Sequence, residues 1–195
     1  MRIEPRSDAK ARKGVVAHEM RRAHELGPAP DPVCCAHCPD YKPSVGCHRD
    51  CAAAPRRLSS EGERSPVEPL VAPLVFELKK LGVFYPCWSC EGHADCSGNL
   101  WKIPRIWFYA DSVVHIRALT EAIDRLFHAR RLSARWIVVV THSDPANPDT
   151  TFSLEPEPPS TDQSLPSLHG DLRVMADELG HHFWRAGDAL AAQSR

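Results

Sequence analysis

The chain has 195 residues, 43% of them hydrophobic, so it can bury a core and is too apolar to be disordered throughout. A formal net charge of −1 gives no footprint for a polyanionic partner spread over the whole molecule. No apolar run approaches the about 18 residues of a membrane span.

The start, MRIEPRSDAKARKGVVAHEM, lacks an apolar stretch of signal-peptide type, so the expected location is the cytosol. Thiols stay reduced there, and eight cysteines then read as metal ligands or reactive thiols rather than four disulfides. All eight fall between 34 and 96, in a group of five (Cys34, Cys35, Cys38, Cys47, Cys51) and a group of three (Cys87, Cys90, Cys96).

Residues 9–26 have helix-forming composition, a basic bias and apolar positions on roughly one face, and GPAPDP ends the helix. The segment CCAHCPDYKPSVGCHRDC follows. Its Cys35-x2-Cys38-x8-Cys47-x3-Cys51 spacing puts two sulfurs on each of two tight turns, which can converge on one tetrahedral ion at about 2.3 Å. His37 and His48 are alternative ligands, and four thiolates would equally suit an iron–sulfur cluster. The segment has few large apolar side chains, so a metal would replace the missing core. Residues 52–69 are small, polar and proline-bearing and read as a linker. The domain reading is a basic helix and Cys-rich metal-binding module over 1–51, the linker, and a second domain over 70–195.

That domain opens with a short helix, PLVFELKKLG, and a strand, VFYPCW, which Pro86 confines to an edge. PRIWFYA is a second strand, and Asp111 or Ser112 caps a helix bearing Val113, Ile116, Leu119, Ile123 and Leu126. ARWIVVVT lacks alternation and reads as a central strand buried on both sides. TTFSLEP is another strand, and a long amphipathic helix closes the chain. The expected class is α/β or α+β, with helices on a small mixed sheet.

In CWSCEGHADC, Cys87, Cys90, His93 and Cys96 recur every third residue and can wrap one centre. Three readings compete. The four close a structural metal site; or the three cysteines hold a metal with an open position, where His93 or Glu91 moves protons; or Cys87 and Cys90 form a redox dithiol. Zinc is favoured over an iron–sulfur cluster. The nearby Trp88, Trp101, Trp107 and Tyr109 are core or the wall of a pocket. His142, Ser143, Asp144 and Asp149 follow the apolar strand in a turn-forming loop, and His181 and His182 point about a quarter-turn apart on the last helix. A partner protein fits a metal-organised module better than nucleic acid does, although the basic helix could touch RNA or DNA. Neither a membrane nor a reaction is implied.

Overall fold

The computed structural model describes residues 9–27, 48–141, 149–158 and 163–192. Cys34, Cys35, Cys38, Cys47 and His37, and with them most of the expected N-terminal module, lie outside the described residues, as do His142, Ser143 and Asp144. Helix α1 spans Ala9–Leu26, α2 Ala54–Leu58 and α3 Ala72–Lys80. Strands β1 (Phe84–Cys90), β2 (His93–Ala94), β3 (Leu100–Lys102) and β4 (Arg105–Ala110) follow. Then come α4 (Val113–His128), β5 (Trp136–Thr141), β6 (Thr151–Pro156) and α5 (Leu165–Ala192). None of the described helices is long and apolar enough to cross a membrane.

The fold is α+β. A four-stranded sheet runs β1-β4-β6-β5, and β2 and β3 form a separate two-stranded ribbon. Every pairing is antiparallel, where a mixed sheet was expected. The reason lies in the connections: the ribbon returns β4 alongside β1, and β6 inserts between β4 and β5. The apolar strand β5 is accordingly an edge, not the centre, and its Val140 is 72% exposed. The centre belongs to β6, buried at five of six positions, with Thr151 and Ser153 buried on one face and Phe152 and Leu154 on the other. Short polar side chains beneath neighbouring residues satisfy burial on both faces as well as an unbroken apolar run does.

By register, Phe84, Ile106, Phe108, Phe152 and Leu154 share one face, and all are buried. Phe84 meets Phe108 and Phe183 edge to face, each at 5.5 Å between ring centres, tying the sheet to α5. Helix α5 also contacts α3, α4 and α1. Met20 of α1 is buried against Gly187 of α5, where a Cβ would sit 2.0 Å from its methyl carbon. The helix grouped by sequence with the Cys-rich segment therefore contributes to the same core. Within 52–69, α2 occupies part of the expected linker, Ala54 is fully buried, and Val67 touches the core. Ser112 caps α4 by accepting the Val114 N–H at 3.2 Å, one of the two residues expected to do so.

One buried carboxylate locks the sheet to its longest helix. Asp171 of α5 accepts the N–H groups of Ser133 (2.7 Å) and Ala134 (3.0 Å) and the indole N–H of Trp136 (2.9 Å). Nothing in the sequence pattern marks it beyond a polar residue on an apolar helix face. Asp171→Ala would strand three donors, two of them buried, and charge-assisted bonds of this kind predict a loss of about 3 kcal/mol. Urea unfolding of the variant measures it; a loss below about 1 kcal/mol would show that the lock contributes little.

Candidate metal centre

The site begins with a strand that stops being regular. Pro86 has no N–H to donate, so β1 sits at the sheet edge, as the sequence suggests. Directly after it the register shifts: Pro86 faces Phe108 and Trp88 faces Trp107, leaving Cys87 as the extra residue of a bulge. Two residues beyond Cys90 the chain turns at Gly92, whose φ is +86°. A Cβ at Gly92 would lie 2.7 Å from Pro104 Cδ and 2.9 Å from Leu165 Cδ1, so only glycine fits both the conformation and the space. The turn points the Gly92 N–H at the Cys90 sulfur (3.4 Å), and Cys90 itself is only 1% exposed.

The second strand of chain arrives from before α3. Glu68 Oε2 accepts the Glu91 N–H at 2.7 Å, and in return Glu91 Oε2 accepts the Leu70 N–H at 2.9 Å. His169 of α5 adds a bond to the Glu91 carbonyl at 2.8 Å; a carbonyl only accepts, so Nε2 of His169 carries the proton. This reciprocal clasp leaves Glu68 Oε1 3.3 Å from His93 Nε2. The His93 ring stacks on Trp101 at 5.4 Å and 22°, while Trp101 remains 67% exposed. The result is a group of three: one ligand atom each from Glu68, Cys90 and His93, all within 4.8 Å of one another. Among the described residues no other three His, Cys, Asp or Glu side chains converge in this way.

Of the residues singled out from sequence, Cys90 and His93 belong to this group and Cys87, Cys96 and Glu91 do not. The bulge turns Cys87 toward the Tyr109 hydroxyl, and desolvation of its sulfur pushes the thiol pKa up, against the hydrogen bonds that pull it down. A thiol shifted that way is a poor redox nucleophile. Cys96 is exposed in the turn of the β2–β3 ribbon. Asp95 fixes that turn by accepting the N–H groups of Ser97 and Asn99 at 2.9 and 2.8 Å. Glu91, expected as an acid or base, has one carboxylate oxygen engaged by the Leu70 N–H. Glu68 was missed because it falls in the segment read as linker, 22 residues before Cys90; its only signal was an acidic residue preceding a helix.

Of the first cysteine group, Cys51 is described. It is buried, and its sulfur receives the N–H of Ala53 at 3.4 Å, the same two-residue turn that Cys90 makes. Next to it Arg49 bonds Asp177 and the Ala176 carbonyl, and Asp50 bonds Arg173, whose guanidinium holds the Asp50 carboxyl below its usual range. These ties fasten the end of the Cys-rich segment to α5. On α5 itself, His181 and His182 meet edge to face and join no group of three. Trp88 and Trp107 pack together at 4.9 Å, with Lys102 Nζ 5.2 Å above Trp88.

Comparison with protein-family models, curated proteins and solved structures finds no match to this chain. The site is therefore read from its own chemistry. If the Gly92 turn sets the Cys90–His93 geometry, Gly92→Ala should cost about 1–3 kcal/mol of stability through backbone strain. If the group holds a metal, the substitution should also weaken that binding about tenfold, as loss of a supporting contact does. Urea unfolding and competitive titration with a chromogenic chelator measure the two effects; wild-type values for both would mean that the turn does not organise the site.

Proposed function

We propose that this protein binds a zinc ion through Glu68, Cys90 and His93. The observation that carries the reading is the convergence of those three ligand atoms within 4.8 Å, from two stretches of chain held together by the Glu68–Glu91 clasp. One thiolate, one imidazole and one carboxylate form a borderline-soft set that suits zinc. An iron–sulfur cubane takes several thiolates, and this group offers one sulfur, which favours zinc further. Three protein ligands leave a tetrahedral ion one open position, the arrangement of an ion that works on a ligand.

The proposal keeps a second zinc site in the N-terminal module, built from Cys35, Cys38, Cys47 and Cys51. Cys51 is buried, and its sulfur receives the Ala53 N–H in the same two-residue turn that Cys90 makes with Gly92. Reduced thiols at both sites fit a cytosolic protein.

Zinc content of protein purified under reducing conditions tests the assignment. Cys90→Ser, His93→Ala and Glu68→Ala should each remove one zinc per chain and lower the melting temperature, while Cys87→Ser, Cys96→Ser and Glu91→Gln should keep it. Retention of zinc by Cys90→Ser, or its loss from Cys96→Ser, would point to a different ligand set.

A further inference from the structure

The four-stranded sheet has two edges, and only one is protected. At β1, Pro86 removes an N–H and the bulge at Cys87 breaks the register, which discourages a further strand. At the other edge, β5 pairs with β6 in unbroken register from Trp136 to Thr141 and carries no proline, glycine or charged residue. Among the described residues no strand lies on its outer side.

Hydrogen bonding decides which groups of β5 face outward. The Glu157 N–H donates to the Arg135 carbonyl at 2.8 Å, and bonded pairs alternate along an antiparallel ladder. Ile137, Val139 and Thr141 therefore bond to β6, whereas Trp136, Val138 and Val140 turn their backbone N–H and C=O groups away from it. Pro156 fits the same alternation, because it stands opposite Trp136, where no N–H is required. One N–H and one C=O on each of these three residues form a free ladder edge on an uncharged strand. Val140 is 72% exposed and borders a cavity together with Val113, which is exposed to the same extent.

We infer that β5 pairs with β5 of a second copy of this chain, antiparallel about a two-fold axis at Val138, joining two four-stranded sheets into one. Reversing the strand about Val138 sets Val138 against itself and Trp136 of one copy against Val140 of the other. Each outward N–H then meets an outward C=O from the identical segment, and none is left over. The pairing also lays Val140 beside another strand, covering an apolar side chain that otherwise stands in water. Charge permits the approach. Arg135, beside the strand, is engaged by Asp124 and Glu157, each at 3.7 Å, and a net charge of −1 gives two copies little mutual repulsion.

Amide hydrogen exchange read by NMR, with sedimentation over a concentration series, tests this on the full chain. The backbone amides of Trp136, Val138 and Val140 should exchange slowly, with protection that rises with concentration as a dimer forms. Those of Ile137, Val139 and Thr141 should be protected at every concentration. Val140→Lys, a charge placed at an exposed edge position, should weaken association about tenfold or more and leave the second set of amides protected. A monomer at every concentration up to about 1 mM, the weak end of specific association, would overturn the inference and leave the edge to a different chain. A dimer in which the Val138 amide exchanges freely, or one that Val140→Lys does not weaken, would also overturn it, because the copies would then meet through another surface.

Discussion

Two carboxylates exchanging backbone N–H groups hold this site together. Glu68 accepts from Glu91 and Glu91 accepts from Leu70, so the chain ahead of α3 is stitched to the turn after β1 at two points. Without that clasp Glu68 would be one exposed acid in a polar segment. With it, the remaining oxygen of Glu68 stands beside His93. Each bond is charge-assisted, which makes the pair worth more than two neutral turns.

The fold supplies the other half of the constraint. An edge strand interrupted at Pro86, bulged at Cys87 and followed by the Gly92 turn is poor as sheet, and its irregular end brings Cys90 close to His93. Its partner β4 is anchored on the core side by Ile106 and Phe108, both fully buried. Irregularity is thus confined to a strand whose neighbour is rigid. Helix α5 backs the site through His169 and backs the sheet through Asp171, so one helix fixes both.

Much of this was legible in the residues. The helix at 9–26, the capped helix after Ser112 and the edge character imposed by Pro86 follow from local chemistry and appear as expected. Cys90 and His93, linked by their step of three, do lie close together in the structure. Strand order was not legible: Ile137 to Val140 form an apolar run that a central strand would also show, and only the insertion of β6 makes it an edge. Glu68 was not legible either, since no spacing rule links an acid in a polar segment to a cysteine 22 residues on. The regular step of three that joined Cys87 and Cys96 to Cys90 and His93 assumed an open loop. In the structure Cys87 sits at a strand bulge and Cys96 in a ribbon turn, and neither is in the group that holds Cys90 and His93.

The most direct test of the account is cadmium-113 NMR of the cadmium-substituted protein, because the shift of the bound ion reports how many sulfurs hold it and resolves two sites separately. The account predicts a resonance in the range of a single thiolate with nitrogen and oxygen ligands, lost in Cys90→Ser and in Glu68→Ala. Only a resonance typical of three or four thiolates, unaffected by Glu68→Ala, would contradict it.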